Sequence, residues 1–205
     1  GPRGTSSGRP DRSGQCGACV RVIAGTARGR TLRLPPGRAT RPTSDRLRES
    51  LFSMLDAAAV DMSETLDLYA GSGALGIEAL SRGAGRCTFV EQDARACLTT
   101  RENLRRVGLE ERGQVVRGRV GRWRAAPAPA VTLVLADPPY DDAAAWDAIE
   151  RTLAGSLSEG ALLAVEHAAR HEPPAMLAGL PLWRDRRQGE GAVALYRRTG
   201  GGDAA

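Results

Sequence analysis

The central part of the chain alternates short apolar runs with segments of helical length. Strands are predicted at 65–68, 87–90, 114–117, 131–136 and 161–165, and helices at 74–81, 94–107 and 144–153. Strands that alternate with helices form a parallel sheet with helices packed on its faces. The pattern therefore predicts an α/β, doubly wound fold.

A β-hairpin is predicted at each end of this region. Near the start, residues 20–24 alternate apolar with polar or small side chains, the glycines at 25 and 29 can turn the chain, and 31–34 can return as a strand. Near the end, 182–188 and 192–197 flank a glycine-rich turn. This second hairpin is expected to place an antiparallel pair at the sheet edge.

A helix is predicted after Pro42. Proline disfavours helix in the residue before it, and Thr43 or Ser44 offers an N-cap. Four apolar residues recur at helical spacing and should form the buried face: Leu47, Leu51, Met54 and Leu55. Arg46 and Arg48 lie near the N-terminal end of this helix.

Length and composition favour one ordinary globular domain with tails. The chain has 205 residues, of which 41% are hydrophobic and 26% charged, and no apolar run approaches the roughly 20 residues of a membrane span. The start of the chain lacks the apolar segment of a signal peptide, so a cytoplasmic location is expected. We predict disordered tails at 1–18 and 199–205, a hairpin and helix at 19–60, and the main domain at 61–198.

The cysteines and histidines suggest no metal site. Four cysteines are too sparse for a disulfide scaffold, and Cys16 and Cys19 have zinc-knuckle spacing but lack a second close pair. His167 and His171 are the only histidines, and both are predicted to be surface residues after the fifth strand.

The charge distribution points to a polyanionic partner. Residues 1–50 carry 11 arginines against 3 acidic residues, a net charge of +8, whereas the remaining 155 residues have a net charge of −3. The chain contains no lysine, so part of this pattern reflects arginine usage in general. The asymmetry nevertheless favours nucleic acid, bound by the basic N-terminal segment.

A glycine-rich loop lies between the first strand of the main domain and the helix after it. Gly71, Gly73 and Gly76 follow the G-x-G-x-x-G pattern, which is also found in dinucleotide-binding proteins. Asp67, four residues before Gly71, is expected at the strand tip facing the ligand, where it would repel a pyrophosphate. It would attract the cationic amino-acid part of S-adenosylmethionine.

A second acidic residue follows the next strand. Glu91 lies 20 residues after Gly71, where a carboxylate can accept hydrogen bonds from two ribose hydroxyls. This position suits NAD and S-adenosylmethionine equally.

The fourth strand, 131–136, leads directly into Asp137-Pro138-Pro139-Tyr140. Two prolines remove two N–H donors and stiffen the backbone, so Asp137 and the neighbouring carbonyls form a rigid row of acceptors. Such a row suits an amino group with two hydrogens, and Tyr140 offers a flat face on which a base can stack.

With these motifs the chain resembles class I amino-methyltransferases, and its N-terminal stretches 21–30 and 41–52 narrow the resemblance to the RsmD family of 16S rRNA guanine-N2 methyltransferases. The resemblance covers nearly all of residues 20–198. It implies a Rossmann-like sheet of seven strands with the last antiparallel, S-adenosylmethionine as cofactor, and guanine in small-subunit rRNA as substrate. The partner would be 16S rRNA or a small-subunit assembly particle, bound by a monomer.

The resemblance also implies roles for individual residues. Asp137 and the Pro138 carbonyl would accept the two amine hydrogens, with Pro139 stiffening the turn and Tyr140 holding the base. The implied cofactor-binding residues are Asp67, Tyr69, Gly71, Gly73 and Glu91. The implied RNA-binding residues are Arg21, Arg28, Arg30, Arg41 and Arg46.

One segment departs from the family pattern. After the third strand, many relatives present an acidic or amide side chain to the adenine ring, whereas this chain has Gly118-Arg119-Val120-Gly121. Adenine would therefore be bound there by backbone groups.

Three other functions remain open at this point. An adenine-N6 DNA methyltransferase would use the same Asp-Pro-Pro-Tyr motif, although 205 residues leave little room for a target-recognition domain. An NAD-dependent oxidoreductase would explain the glycines and Glu91 but not residues 137–140. A catalytically inactive RNA-binding module would not need an intact motif there.

Overall fold

The computed structural model of the chain describes residues 19–36, 43–140 and 142–198. The predicted tails, 1–18 and 199–205, lie outside the described residues, as do Arg41, Pro42 and Cys16.

The elements alternate along the chain as the sequence pattern predicts. The strands are β1 Cys19–Arg21, β2 Thr31–Arg33, β3 Glu64–Leu68, β4 Arg86–Glu91, β5 Gly113–Arg117, β6 Val131–Ala136, β7 Leu157–Ala168, β8 Met176–Leu177, β9 Leu180–Gln188 and β10 Gly191–Tyr196. The helices are α1 Thr43–Ala57, α2 Ala74–Ser81, α3 Ala94–Val107 and α4 Ala145–Leu153, with a short 3-10 turn at Glu110–Arg112.

The main sheet has the strand order β5-β4-β3-β6-β7-β10-β9-β8. Strands β3 to β7 are parallel to one another, and β10 runs antiparallel to both β7 and β9. The expected sheet of seven strands with an antiparallel last strand is thus confirmed, and β8 adds a two-residue pairing at the edge. The C-terminal hairpin does not pair only at the edge, because β10 lies between β7 and β9.

Apolar layers cover both faces of the sheet. One layer joins side chains of α1 and α2 to β6, including Leu51, Phe52 and Ile77 packed with Leu133. The other layer packs Ile149 of α4 on the opposite face. All six residues of β6 are buried, as is typical of a central parallel strand. Burying a side chain such as Ile149 contributes about 1.5–3 kcal/mol.

The N-terminal hairpin is fixed to the main domain by buried polar side chains. Glu78 of α2, which is 0% exposed, accepts the backbone N–H groups of Ile23 and Ala24 at 2.8 and 3.0 Å. Asn103 of α3 accepts the N–H of Arg33 and donates to its carbonyl, both at 2.9 Å. The hairpin and the sheet therefore share one packed structure.

The turn of this hairpin lies directly against α2. Gly25 has a φ of +82°, and a Cβ atom there would lie 1.8 Å from the carbonyl oxygen of Ser81. The N–H of Thr26 donates to that same oxygen at 2.8 Å. Only a glycine permits this close approach.

Some local predictions need correction. Helix α1 begins at Thr43, so Thr43 and Ser44 belong to its first turn and do not precede it. Leu47, Leu51 and Leu55 are buried as expected, Met54 is only half-buried, and Phe52 and Arg48 are buried as well.

The histidine prediction is half wrong. His171 is exposed, but His167 lies within β7 and is 4% exposed. Its Nε2 contacts the carboxylate of Asp185 in β9 at 2.9 Å. Strand β7 extends beyond the predicted 161–165, and this extension buries His167.

Among the helices of the described segments, none has the length and apolar character needed to cross a membrane.

Candidate active site

The predicted site residues meet at the carboxyl ends of β3, β4 and β6. The chain goes from β3 outward to β4 and β5, and then returns to place β6 on the other side of β3. Such a reversal of strand order opens a crevice at the carboxyl edge of a parallel sheet, where α/β proteins bind ligands.

The glycine-rich loop connects β3 to α2 in a strained conformation. Tyr69 has a left-handed φ of +59°, which costs a non-glycine residue about 1–2 kcal/mol. Gly73 has a φ of +79°, and a Cβ atom there would lie 2.7 Å from Cγ2 of Thr100. The hydroxyl of Thr100 donates to the carbonyl of Gly71 at 3.0 Å, so α3 fixes the loop from the other side.

Asp67 holds this loop from beneath. It is 1% exposed, and its Oδ2 accepts the backbone N–H of Gly76 at 2.9 Å. Burial raises the pKa of Asp67 well above its ordinary value, the hydrogen bond from Gly76 opposes that rise, and the charges of Asp137 and Glu91 add to it. Asp67 therefore lies near the carboxyl end of β3 as expected, buried beneath the loop. A direct contact with cofactor stays a prediction.

Glu91 lies at the end of β4 with both carboxylate oxygens bonded to the backbone. Its Oε2 accepts the N–H of Gly71 and its Oε1 the N–H of Asp93, both at 2.9 Å. A carboxylate has about four lone-pair sites, so these two bonds leave acceptor capacity for the hydroxyls of a ribose. Glu91 is 6% exposed and held in one orientation.

Asp137 follows directly after β6. Its side chain is exposed at the crevice, and its backbone N–H points to the carbonyl of Leu68 at 3.4 Å. Pro138 is buried and Pro139 exposed. The row of acceptors formed by Asp137 and the neighbouring carbonyls stays a prediction. Strands β3 and β6 pair in parallel, so Asp67 and Asp137 lie near the carboxyl ends of adjacent strands.

Tyr140 is half-buried beside these residues. Its hydroxyl donates to Oε1 of Glu166 in β7 at 2.6 Å. Sequence analysis did not identify Glu166, although a carboxylate directly after the buried run 161–165 was a signal that it lies toward the carboxyl end of that strand.

The loop after β5 lies on the other side of the crevice. The N–H of Gly118 donates to the carbonyl of Glu91 at 3.0 Å. Burial and the charge of Asp142 raise the pKa of Tyr69 to about 12, while Arg119 and Arg151 act in the opposite direction. The hydrogen bond from Gly118 holds this loop to the end of β4, and backbone contacts to an adenine ring there stay a prediction.

Four of the five predicted RNA-binding arginines are exposed: Arg21, Arg28, Arg30 and Arg46. None of these four forms an ion pair with a described residue. Arg41 lies outside the described residues. The nearby Arg33 differs, because it pairs with Glu102 at 2.6 Å.

Arg48 is not part of this exposed basic surface. It is 5% exposed, and its guanidinium donates to the carbonyl of Arg21 and to Asp45. Sequence analysis placed Arg48 near the N-terminal end of helix α1 but did not predict its burial. Sequence analysis also missed the buried carboxylate of Glu78. A single charged residue in the otherwise apolar helix α2 was a signal that this side chain binds polar groups in the interior.

In the part of the chain that the structure covers, no three His, Cys, Asp or Glu side chains form a group that could hold a metal ion. Cys19 is exposed, and Cys87 and Cys97 are buried.

The chain is similar in sequence to known proteins over most of its length. A family model described as "Conserved hypothetical protein 95" matches residues 20–197. The chain is 34% identical over 197 residues to the Ribosomal RNA small subunit methyltransferase D of Escherichia coli K12, covering 96% of this chain and 98% of that protein. It is 37% identical over 187 residues to YlbH of Bacillus subtilis, covering 88% and 100%.

Solved structures show the same fold. The yhhF protein of Escherichia coli matches with a TM-score of 0.72 and 35% identity, over 88% of this chain and 98% of that one. A 16S rRNA N2 G1207 methyltransferase of Thermus thermophilus, solved with AdoMet and guanosine, matches with a TM-score of 0.67. Its identity is 20%, over 88% of this chain and 50% of that one, so it supports the fold alone.

Proposed function

Since this chain belongs to the RsmD family of small-subunit ribosomal RNA methyltransferases, we propose that it transfers the methyl group of S-adenosylmethionine to the exocyclic N2 amine of a guanine in 16S rRNA. The convergence of the glycine-rich loop, Glu91 and Asp137 at one edge of the sheet carries this proposal.

Glu91 and the loop would hold the cofactor. The acceptor capacity that remains on Glu91 suits the ribose hydroxyls, and Gly71 and Gly73 let the backbone approach a ligand closely. The carboxylates of Glu91 and Asp137 favour a cationic ligand over the pyrophosphate of NAD. When bound, S-adenosylmethionine supplies an electrophilic methyl group on a positively charged sulfur.

Asp137 would orient the attacking amine. The lone pair of the guanine amine is delocalised into the ring, so the amine is a poor nucleophile until it is positioned. The Asp137 carboxylate and the Pro138 carbonyl would accept its two hydrogens and turn the lone pair toward the methyl group. Asp137 can also take the proton that the methylated amine loses.

Tyr140 would hold the base, and the exposed arginines would hold the RNA. A base stacked on an aromatic ring gains about 1–3 kcal/mol. The target guanine must be unpaired or flipped out of its helix to reach the crevice. Arg21, Arg28, Arg30 and Arg46 present positive charge on the hairpin and α1, where phosphates would pair with them.

The proposed assembly is a monomer that acts on 16S rRNA or on a small-subunit assembly particle. Light scattering of the purified protein at several concentrations tests the monomer, and a mass of twice 21.7 kDa would contradict it.

The test uses radiolabelled S-adenosylmethionine with four substrates: unmethylated small-subunit particles, naked 16S rRNA, an unrelated structured RNA and duplex DNA. After digestion to nucleosides, we expect label in N2-methylguanosine from a 16S rRNA substrate only. The Asp137→Ala variant serves as the inactive control. Label in N6-methyladenosine from DNA would support the alternative methyltransferase, and transfer to no substrate would contradict the proposal.

A further inference from the structure

We propose that Glu166 is a positioning residue for the methyl transfer, because it fixes the ring of Tyr140 at the target-base pocket. This inference rests on the function proposed above, in which Tyr140 holds the guanine. Glu166 would act through Tyr140 and would touch neither the base nor the cofactor.

Neighbouring strands bring the two residues together. Ala136, the last residue of β6, pairs with Val165 of β7, so the turn that follows β6 and contains Tyr140 begins beside Glu166. Glu166 itself stays in the sheet, paired with Val193 of β10. The Tyr140 hydroxyl donates to Oε1 of Glu166 at 2.6 Å. A hydrogen bond to an ionised carboxylate is roughly twice as strong as one between neutral groups.

Gly191 restricts the same hydroxyl from a third strand. A Cβ atom at Gly191 would lie 2.7 Å from the hydroxyl oxygen of Tyr140 and 3.0 Å from Cδ2 of Leu47. The end of the ring therefore lies between the backbone of β10 and the carboxylate of Glu166. A ring held at its far end keeps its plane fixed, which is the requirement for stacking a base in one orientation.

Arg48 places a positive charge near Glu166. The two residues line one recess beside Ala136, together with Leu47, Leu75 and Val193. Nε of Arg48 is buried and has no hydrogen-bond partner among the described residues, and the charges of Arg48 and Glu166 interact favourably. A partly buried carboxylate is costly without such a counter-charge.

The recess also connects Tyr140 to the N-terminal hairpin. The guanidinium of Arg48 donates to the carbonyl of Arg21, one of the arginines proposed to bind RNA. Arg48 thus bonds to the hairpin and lines the same recess as Glu166, which accepts the hydrogen bond of Tyr140.

A double-mutant cycle tests the positioning role. Glu166→Ala and Tyr140→Phe, alone and together, are compared in kcat for methyl transfer and in KM for the cofactor. Misplacing a reacting group can lower the reaction rate by up to about 10²-fold. We expect each single variant to lower kcat by about tenfold and to leave KM for the cofactor unchanged. In the Tyr140→Phe background, Glu166→Ala should lower kcat by less than about twofold, because the contact is already lost.

Two further comparisons between variants separate a loss of positioning from a loss of folding. Glu166→Gln retains an acceptor oxygen and should recover most of the kcat lost in Glu166→Ala. Gly191→Ala should lower kcat by displacing the hydroxyl, whereas Gly160→Ala, a glycine of β7 with nothing within 4 Å of its Cβ position, should leave kcat unchanged. Urea denaturation of each variant shows whether it is folded under the assay conditions.

The outcomes separate the two proposals. If the wild-type protein forms no N2-methylguanosine, the proposed function fails. If the wild-type protein forms that product, the proposed function stands. The positioning role is then overturned if Glu166→Ala leaves kcat unchanged, or if it lowers kcat by the same factor in the wild-type and Tyr140→Phe backgrounds.

Discussion

The carboxylate of Glu91 and the backbone N–H of Gly71 form a 2.9 Å hydrogen bond across 20 residues of sequence. This bond ties the end of β4 to the loop after β3. The residue proposed to hold the ribose and the loop proposed to pass beside the cofactor therefore form one rigid unit.

Replacing Glu91 should weaken cofactor binding. Hydrogen bonds to a charged acceptor contribute about 1.5–3 kcal/mol, so Glu91→Ala should reduce affinity for S-adenosylmethionine and its demethylated product by that amount. Isothermal calorimetry measures this, with Glu110→Ala as an exposed acidic control. The wild-type protein should show negligible affinity for NAD, and tight NAD binding would contradict the assignment of the cofactor.

Replacing Asp137 should separate chemistry from binding. The carboxylate is expected to face the target amine, so Asp137→Ala should abolish methyl transfer, a loss of about 10²-fold or more. Affinity for the cofactor should stay within about threefold of wild type. Asp147→Ala removes an exposed carboxylate from α4 and serves as the control in the same assays. Full activity in the Asp137 variant would mean that another residue orients the base.

Replacing hairpin arginines should reduce the salt dependence of RNA binding. If four phosphate contacts form, log affinity should fall against log salt with a slope of about −3 to −4. The double variant Arg28→Ala/Arg30→Ala should weaken RNA binding and reduce the slope by the amount expected for the loss of about two phosphate contacts. Its affinity for the cofactor should be unchanged. Filter binding on structured RNA measures both quantities.

The control for this experiment is Arg86→Ala/Arg198→Ala. Both arginines are exposed, and they lie at the start of β4 and after the end of β10, at the sheet edge opposite the site. An unchanged slope in the hairpin variant, or an equal change in both double variants, would contradict phosphate binding by the hairpin.

Asp67 should make the free energy of unfolding depend on pH. Its pKa in the folded state is raised, so the folded protein binds the proton more tightly than the unfolded chain. The resulting stabilisation is complete below the unfolded pKa, near 3.8, and is lost as pH rises through the folded pKa.

Asp67→Asn cannot ionise and keeps an oxygen for the N–H of Gly76. Its free energy of unfolding relative to wild type should therefore increase as pH rises above about 4 and level off above the folded pKa. Urea denaturation at pH 4 to 8 measures the difference. A constant difference, or one that falls with pH, would show that the Asp67 pKa is not raised.

Gly25→Ala should destabilise the hairpin more than Gly29→Ala. Both glycines have a φ near +80°, so alanine at either position costs about 1–2 kcal/mol of backbone strain. At Gly25 the new Cβ would also lie 1.8 Å from the carbonyl oxygen of Ser81, whereas at Gly29 it meets nothing within 4 Å. Equal losses in urea denaturation would mean that the hairpin moves away from α2 at little cost.

The sequence by itself determined the order of the elements and the place of the chemistry. The run of β6, apolar except for Thr132, is typical of a buried strand, and the prolines after it end that strand at a fixed residue. This places Asp137 at the carboxyl end of the sheet. The glycine-rich loop and Glu91 followed from the same rule, because consecutive parallel strands end at one edge.

The tertiary structure alone decided which polar side chains are buried and what they bind. Glu78 and Ile23 are 55 residues apart, Asn103 and Arg33 are 70, and Tyr140 and Glu166 are 26. Local sequence patterns do not predict such pairs. Propensity and periodicity act over a few residues, whereas these hydrogen bonds depend on how whole elements pack. For the same reason the burial of Arg48, Asp67 and His167 does not follow from their neighbours in the sequence.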